Sequence, residues 1–477
     1  MKVGRNARRA GALLLSSAAL AVTIPAATAP AKAAPVAKKV DARPAKVDIQ
    51  FTKEVLPNGL TVILHVDHAL PLVTVDTLVK VGSHHEEVRR TGFAHLFEHL
   101  MFMGTARVPT KMFDAWMETE GGANNASTGE DRTEYYDAGP AHALPLLLWL
   151  EADRFASLGK EMNADKLKAQ RDVVRNERRQ TSENRPYGKV ELRLPELLYP
   201  EGHPYHHPVI GSHEDLEAAT VADVKAFFDR FYVPNNISLV VAGDFDPQKT
   251  RAMILALFGG IPRAGDPPAP TAAQPRLTSV VRETLLDNVE LPKTIIAYHS
   301  PAHWAAGDAE MDLASVILEH GKASRLYKAL VSDRALAQEV TASQYSQDLG
   351  SYFGIEAIAQ PGVKLDDLEA AIDAEVAKLV ARPVSIEELQ RAKNQFETAF
   401  VSRLQSVSER ASLLNRYEAG KGDPGFAEKD LQRYRDVTPA SLQATMKRVL
   451  DPGARVILRV VPKPRDAAAA GNNGGAK

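Results

Sequence analysis

The spacing of hydrophobic and polar residues early in the chain predicts two β-strands followed by a buried helix. Residues 56–67 (LPNGLTVILHVD) place a hairpin turn before one strand, and residues 72–83 (LVTVDTLVKVGS) alternate partly, as expected of a second strand. Residues 91–105 (TGFAHLFEHLMFMGT) are mostly apolar, so we expect a helix over residues 93–103 that stops at Gly104. This order favours antiparallel or mixed sheets with helices packed on one face.

The same order of elements recurs in the second half of the chain. Residues 216–245 are typical of a capped helix, a Pro/Asn turn and a buried strand, and residues 434–463 repeat that order. Residues 170–177 (QRDVVRNE) and 390–397 (QRAKNQFE) each open a long polar helix, and a Pro/Ala-rich linker at 262–277 separates the halves. We therefore predict an α+β fold of two duplicated domains of about 220 residues, each with a mostly antiparallel sheet packed by helices. Chance similarity of the two units is the alternative.

The composition is that of a folded protein and excludes several functions. Hydrophobic residues make up 44% and charged residues 25% of the chain. The net charge of −2 argues against a nucleic-acid binder, which usually needs a strong basic excess. The absence of cysteine excludes disulfides, thiolate metal ligands and a cysteine nucleophile. The sequence also has neither a G-x-S-x-G elbow nor a Walker-type phosphate loop.

The N-terminus has the layout of a secretory signal peptide. Four basic residues among the first nine precede an apolar, Ala-rich run at 10–24, and an A-x-A pattern follows at 31–33. We expect an exported protein, periplasmic if the source has two membranes, and no stable membrane span. An uncleaved N-terminal anchor is the alternative.

Two histidines and a glutamate interrupt the apolar run at 91–105. On a helix, His95 and His99 project from one face one turn apart, and Glu98 falls close to that face. Two imidazoles at this spacing can both reach a zinc ion at about 2.0–2.1 Å, which leaves Glu98 beside the remaining positions of the metal. The order H-x-x-E-H is a metallopeptidase signature. Core histidines with a surface glutamate are the alternative, but three polar groups on one face favour a metal site.

A catalytic zinc needs a third protein ligand, which must be His, Asp or Glu in a chain without cysteine. The histidine-rich segment 202–208 (GHPYHHP), with His213 nearby, could mimic a metal site, but its prolines indicate a structural loop. Residues 83–85 (Ser-His-His) end a predicted strand, and we expect them to be exposed.

These motifs resemble those of the M16 metallopeptidases, the family of pitrilysin, insulin-degrading enzyme and the mitochondrial processing peptidase. The matching segments are HLFEH (95–99), VVRNERR (173–179), GGANNASTGEDRTEYY (121–136) and a stretch from GHPYHHPVIGS to VPNNISLVVAGDFD (202–246). The resemblance covers essentially the whole chain after the N-terminal segment. It implies a zinc-dependent endopeptidase that hydrolyses extended or unfolded peptides, with one Zn²⁺ per chain.

The resemblance also implies the roles of the residues at the metal. His95 and His99 match the first two zinc ligands, Glu98 matches the general base, and Glu177 matches the third ligand. Without the resemblance, Glu177 is one of many charges on a solvated helix. Gln170 stands where many relatives carry a supporting acidic residue, and it keeps the capacity to hydrogen-bond but not the charge.

Residues around Asn125, Ala126 and Thr128 resemble the family's edge strand, on which substrate lies extended. Strand addition of this kind uses backbone hydrogen bonds and therefore selects extended peptides rather than particular sequences. An ordinary Gly/Asn loop is the alternative.

The second half departs from the family pattern. It carries no H-x-x-E-H, and where relatives place an Arg and a Tyr, the segment 323–340 (ASRLYKALVSDRALAQEV) has Val331 and Gln338. We therefore expect a related subunit, in a homodimer or heterodimer, to supply the missing pair. A non-catalytic peptide-binding or scaffold subunit is the alternative function.

These observations divide the chain into six predicted segments. They are a signal peptide (1–33), a flexible segment (34–47), a zinc-binding catalytic domain (48–262), a linker (263–280), a second, metal-free homologous domain (281–465) and a disordered tail (466–477).

Overall fold

The computed structural model of the chain describes residues 46–464. The predicted signal peptide, nearly all of the flexible segment and the predicted tail therefore lie outside the described residues. Within residues 46–464, no helix is long and apolar enough to cross a membrane.

Eleven strands of the described chain form two sheets. The strands of the first sheet are β1 (Thr52–Val55), β2 (Thr61–Val66), β3 (Leu72–Val79), β4 (Ala123–Thr128), β5 (Thr133–Pro140) and β6 (Ile237–Gly243). Those of the second sheet are β7 (Val281–Asp287), β8 (Lys293–Ser300), β9 (Ala337–Tyr345), β10 (Ser351–Ala359) and β11 (Val456–Pro462). The first sheet has the order β1-β2-β6-β3-β5-β4 and the second has the order β7-β11-β8-β10-β9.

The helices fall into two groups along the chain. The first half contributes α1 (Phe93–Leu100), α2 (Met112–Thr119), α3 (Leu144–Glu161), α4 (Ala164–Arg178), α5 (Lys189–Leu198), α6 (His213–Ala218), α7 (Val221–Phe231) and α8 (Pro247–Phe258). The second half contributes α9 (Asp308–Glu319), α10 (Leu365–Ala381), α11 (Ile386–Arg403), α12 (Val407–Lys421), α13 (Ala427–Asp436) and α14 (Pro439–Val449).

The two sheets share one topology, which confirms the predicted duplication. The order β2-β6-β3-β5-β4 in the first sheet matches β7-β11-β8-β10-β9 in the second. In each sheet one pair is parallel, β2 with β6 and β7 with β11, and the other pairs are antiparallel. Strand β1 adds an extra edge strand to the first sheet.

Helices cover both faces of each sheet, so the expectation of helices on one face is wrong. In the first half, α1, α3 and α7 contribute buried residues to a core that also includes residues of β2, β3 and β6. Helix α12 of the second half covers the other face of that sheet, where Ala411 and Leu414 meet Val240 and Ala242. Reciprocally, α5 of the first half packs on the second sheet, where Leu194 belongs to one core cluster with several strand residues. Each half therefore completes the core of the other.

Three local predictions need correction. Helix α1 ends at Leu100, and residues 101–103 form turns, so the predicted helix is three residues too long. The segments 170–177 and 390–397 lie inside α4 and α11 rather than at the start of each helix. Ser83 and His84 are buried rather than exposed, because this segment forms a short 3-10 helix whose His84 bonds Asp131.

Candidate metal centre

Helix α1 separates its apolar side chains from its polar ones. Phe93, Leu96, Phe97 and Leu100 are buried in the first-half core, whereas the two histidines and the glutamate of the helix remain partly exposed. This division follows from the 3.6-residue period, since apolar residues at i, i+3, i+4 and i+7 share one face. The buried face fixes the helix and leaves His95, Glu98 and His99 free for chemistry.

A buried carboxylate holds the N-terminus of α1. Gly92 is the N-cap residue and has no side chain to cap the helix, and Glu86 accepts hydrogen bonds from the N–H groups of Gly92 (2.8 Å) and Ala94 (2.7 Å). The Glu86 side chain is 0% exposed, and burial raises the pKa of this carboxyl well above its ordinary value. Sequence analysis missed this contact. An acidic residue shortly before a helix without a capping side chain is the available signal.

A close contact between two glycines joins α1 to the loop before α6. Gly92 has a positive φ of 85°, and a Cβ there would lie 2.7 Å from the carbonyl oxygen of Ile210. A Cβ on Gly211 would lie 2.4 Å from the backbone of Gly92, so neither position has room for a side chain. Arg178, at the end of α4, donates to the carbonyl of Gly211. The loop therefore links the start of α1 to the end of α4, the two helices that carry the predicted ligands.

The predicted ligands converge although they lie on two helices. The Nε2 atom of His95 lies 3.4 Å from Nε2 of His99 and 3.8 Å from Oε1 of Glu177. The Nε2 atom of His99 lies 3.2 Å from Oε2 of Glu177. Among residues 46–464, these three form the one group of His, Asp or Glu side chains whose donor atoms could together hold a metal ion. The fold thus brings Glu177 next to the two histidines, although it is far from them in the sequence.

The donor spacing fits a zinc ion. Two ligands about 2.0–2.1 Å from a tetrahedral zinc lie about 3.4 Å apart. The imidazole nitrogens lie 3.4 Å apart, and each lies 3.2 or 3.8 Å from a different oxygen of Glu177, which is close to that value. Two imidazoles and one carboxylate also suit zinc chemically, and three protein donors leave a position open. The residues present can therefore hold the metal that the sequence predicts.

The pKa shifts of His95 and Glu177 are compatible with metal binding. Burial, together with the neighbouring His99, lowers the pKa of His95 to about 4, so this imidazole is neutral at pH 7. A hydrogen bond from His99 lowers the pKa of the Glu177 carboxyl despite partial burial. Neutral imidazole and ionised carboxylate are the forms that bind a metal.

Glu98 lies beside this group and is held by Thr128. The Thr128 hydroxyl donates to Glu98 Oε2 at 2.5 Å. Burial raises the pKa of Glu98, an effect that the Thr128 hydrogen bond partly offsets. A carboxylate with a raised pKa is a stronger proton acceptor, which is the property that a general base needs.

The three predicted substrate-binding residues lie on β4, which is the edge strand of the first sheet. The N–H of Ala126 donates to the side-chain oxygen of Asn125 at 2.9 Å, and Thr128 contacts Glu98. The edge position agrees with strand addition by an extended peptide, and the roles of these residues remain predictions.

Gln170 does not reach the metal ligands in the described chain. Its side-chain amide donates to the sulfur of Met103 at 2.7 Å. The buried Nδ1 of His95 has no hydrogen-bond partner among residues 46–464. The expected support of the site by Gln170 is therefore not visible in the described contacts and stays a prediction.

The second-half positions that depart from the family pattern lie in two elements. Val331 is in a π-helical segment (Tyr327–Asp333) and packs against the second-half core. Gln338 is exposed on the edge strand β9.

Comparison with known proteins identifies both halves. Residues 61–204 match the family model described as insulinase (peptidase family M16), and residues 218–396 match the model described as the peptidase M16 inactive domain. The chain is 31% identical over 369 residues to the zinc protease PqqE of Helicobacter pylori, covering 76% of this chain and 82% of that protein. It is 28% identical to an uncharacterized zinc protease of Mycobacterium tuberculosis, covering 83% of this chain and 90% of the relative.

A solved structure shows the same architecture. The crystal structure of a protease from Helicobacter pylori matches with a TM-score of 0.82 at 27% identity, and the match covers 87% of this chain and 100% of that chain. The chain therefore belongs to peptidase family M16.

Proposed function

We propose that this chain is a zinc-dependent endopeptidase that hydrolyses extended or unfolded peptides, with one zinc ion held by His95, His99 and Glu177. The observation that supports this most strongly is the convergence of these donors, at zinc-like spacing, on the side of α1 that carries Glu98. A structural zinc normally has a fourth protein ligand. No fourth His, Asp or Glu joins this group in the described chain.

The proposed chemistry assigns one task to each side chain. A zinc ion held by His95, His99 and Glu177 would act as a Lewis acid on the substrate carbonyl and make the attacking water more acidic. Glu98 accepts a proton from the attacking water and delivers a proton to the leaving amine. The hydroxyl of Thr128 keeps the Glu98 carboxylate in one orientation. His95, His99 and Glu177 would hold the metal at a fixed position relative to Glu98.

We propose that substrate binds along β4 as an additional strand. The strand lies at the open edge of the first sheet, and its last residue, Thr128, contacts Glu98. A peptide aligned on this edge would pass the general base in an extended conformation. Recognition through backbone groups favours unfolded segments over folded proteins.

We also propose that a related subunit completes the active enzyme. The family resemblance assigns an Arg and a Tyr to the positions of Val331 and Gln338. Val331 lacks the positive charge of the Arg, and Gln338 lacks the phenol of the Tyr. To test this, the purified chain is assayed alone and with candidate partner chains from the same genome. Full peptide turnover by a zinc-loaded monomer would contradict the need for a partner.

The layout of residues 1–33 supports export, to the periplasm or beyond. Cell fractionation and N-terminal sequencing of the mature protein test this proposal. A cytoplasmic protein with an intact N-terminus would contradict it.

The Glu98→Gln variant tests the proposed activity. We expect it to keep zinc, since Glu98 is not a ligand, and to lose about 100- to 10,000-fold in the rate of peptide cleavage. Chelation should abolish cleavage by the wild-type chain, and added zinc should restore it. The exposed Glu214 on α6 gives a matched control, and Glu214→Gln should leave the rate unchanged. Equal cleavage by wild type and Glu98→Gln would refute the mechanism.

A non-catalytic peptide-binding subunit is the second candidate. The match of residues 218–396 to the inactive-domain model and the loss of the Arg/Tyr pair favour it. In that case the wild-type chain would bind peptide but cleave none, alone or with a partner, and Glu98→Gln would leave peptide affinity unchanged.

A further inference from the structure

A cavity of about 440 Å³ opens directly beside the candidate metal centre. His95, Thr128 and Glu177 contribute to its lining, and so do Tyr345 and Tyr352 from the second half. Pockets of about 300–1,000 Å³ are large enough to enclose small ligands. This cavity can therefore accept one large substrate side chain next to the site of cleavage.

The two second-half tyrosines stack on each other in the lining of the cavity. Tyr345 on β9 pairs with Tyr352 on β10, and their rings stack with centroids 4.4 Å apart and planes 13° apart. Tyr345 is 40% exposed although it is a large aromatic residue. Stacked, partly exposed aromatic rings in a concave site are suited to bind an apolar side chain.

Two other tyrosines that line the cavity form hydrogen bonds that stabilise the fold. The hydroxyl of Tyr199 donates to Gln347 (2.8 Å) and to the carbonyl of Gly350 (3.0 Å), and the hydroxyl of Tyr205 donates to Asp131. These hydrogen bonds explain Tyr199 and Tyr205 as structural residues. In the described chain, neither Tyr345 nor Tyr352 forms a hydrogen bond to the first half, and the Tyr345 side chain bonds Ser343 on its own strand.

The first half supplies further apolar residues of the lining. Leu194 and Leu198 of α5 and Ile210 of the loop before α6 line the cavity. The pocket thus exists only because α5 packs on the second sheet, and it joins surfaces from both halves.

The charged residues of the lining have one sign. They are Glu130, Glu177 and Glu191, and no lysine or arginine of the described chain lines the cavity. Glu191 is exposed, at the start of α5. With zinc bound, the metal compensates the charge of Glu177, so an acidic substrate side chain would meet like charge at Glu191, whereas an apolar side chain would not.

We infer that this cavity selects a large apolar side chain, aromatic or branched aliphatic, at one position of the peptide substrate and rejects Asp and Glu there. Tyr345 and Tyr352 are the residues that determine this specificity. The inference rests on the proposed function, because it takes peptide as the ligand. It also gives the second half, whose described residues contribute nothing to the candidate metal centre, a direct part in substrate selection.

Peptide binding to the zinc-loaded Glu98→Gln chain tests the inference without turnover. The probes are fluorescein-labelled peptides of Gly, Ser and Thr that carry a single Phe, Ala or Glu, moved stepwise along the peptide. Fluorescence anisotropy should show one position at which Phe binds about tenfold tighter than Ala, the lower end of what a hydrophobic pocket discriminates. Glu at that position should bind more weakly than Ala.

Substitutions in the same background locate the selectivity. Tyr345→Ala and Tyr352→Ala should remove the preference for Phe, and Tyr345→Phe should keep it. Leu286→Ala, at an exposed site on β7, is the control and should also keep it. Glu191→Lys should restore binding of the Glu peptide, and this exposed position tests the pocket even if an alanine variant fails to fold.

Two results would overturn the inference. One is equal affinity for Phe and Ala at every peptide position, and the other is an intact preference for Phe in both tyrosine-to-alanine variants. A wild-type chain that binds with this selectivity but never cleaves would refute the proposed activity and leave the pocket established.

Discussion

The two halves share a topology, but within residues 46–464 only the first half carries a candidate metal centre. Helices α1 and α9 both begin after a left-handed glycine, Gly92 (φ 85°) and Gly307 (φ 101°). Three, six and seven residues later the first half has His95, Glu98 and His99. At the same offsets the second half has Glu310, Leu313 and Ala314, and the last two are 0% exposed.

The third ligand shows the same divergence. Segment 170–177 corresponds to segment 390–397, so Glu177 corresponds to Glu397. Glu177 lies within 4 Å of both histidines, whereas Glu397 pairs with Arg435. The backbone framework is therefore compatible with either a metal site or ordinary packing. The side chains at four positions decide which of the two is built.

Alanine substitution of Glu177 and of Glu397 should show the largest difference in effect between the two halves. Glu177→Ala should weaken zinc affinity by more than about 100-fold, since loss of a partner that only orients a ligand already costs about 10- to 100-fold. Glu397→Ala should leave zinc binding unchanged and lower the free energy of unfolding by about 0.5–1 kcal/mol, as expected for a partly exposed ion pair. Competitive chelator titration and urea denaturation measure the two effects. Unchanged zinc affinity in Glu177→Ala would mean that another residue is the third ligand.

The two helix-capping glycines should also respond differently. Gly92→Ala forces a Cβ to 2.7 Å from a backbone oxygen of Ile210 at a positive φ, and we expect a loss of about 2–3 kcal/mol in stability together with weaker zinc binding. At Gly307 the nearest atom is the flexible end of Arg448, so Gly307→Ala should cost about 1–2 kcal/mol and leave zinc binding intact. Equal losses at both positions would contradict the close packing at Gly92.

The cap of α1 gives a smaller effect. Glu86→Ala removes the acceptor for two backbone N–H groups, and we expect a loss of about 1–2 kcal/mol in the free energy of unfolding. Because the helix carries two ligands, zinc affinity should fall as well. Chemical denaturation with and without zinc measures both. A variant with full stability would show that water replaces the carboxylate.

A buried polar contact between the halves predicts a pH dependence. Helix α5 combines apolar packing on the second sheet with ion pairs such as Arg193–Glu283, whereas Asn415 of α12 donates to a carboxyl that is fully buried, that of Asp76 on the first sheet (2.5 Å). Burial and the neighbouring Glu134 raise the pKa of Asp76 well above its usual 3.8. The folded chain then keeps a proton that the unfolded chain releases. Stability should therefore fall as pH rises from about 3.8 through the raised pKa.

The Asp76→Asn variant should flatten this dependence and raise stability near neutral pH by about 1 kcal/mol, because an amide needs no proton to remain neutral. Urea denaturation across a pH series is the measurement. Zinc affinity should not change. An identical stability profile for wild type and variant would assign the pH dependence to other groups.

The sequence predicted what depends on local spacing. The positions of His95, Glu98 and His99 on one helix face follow from the helical period alone, and the strand and turn patterns revealed the duplication. Glu177 could be named only through a family resemblance, because nothing in its own surroundings distinguishes it from other charges on α4.

Contacts between the halves were not predictable in this way. The pattern of α12 indicates that one face is buried but not which sheet buries it. His84 is buried by its bond to Asp131 and by the ring of Tyr205, whose centroid lies 6.1 Å from that of the imidazole. Both partners are far from His84 in the sequence, so the local pattern could not predict these contacts. The tyrosine-lined cavity arises from the same long-range packing.

Diffraction from crystals of the zinc-loaded protein, measured on both sides of the zinc absorption edge, tests the central claim most directly. The account predicts one anomalous peak per chain, within bonding distance of the Nε2 atoms of His95 and His99 and a carboxylate oxygen of Glu177. It predicts no peak near Glu310 or Glu397. A metal-replete protein without a peak between those three side chains, or with its zinc elsewhere, would contradict the account.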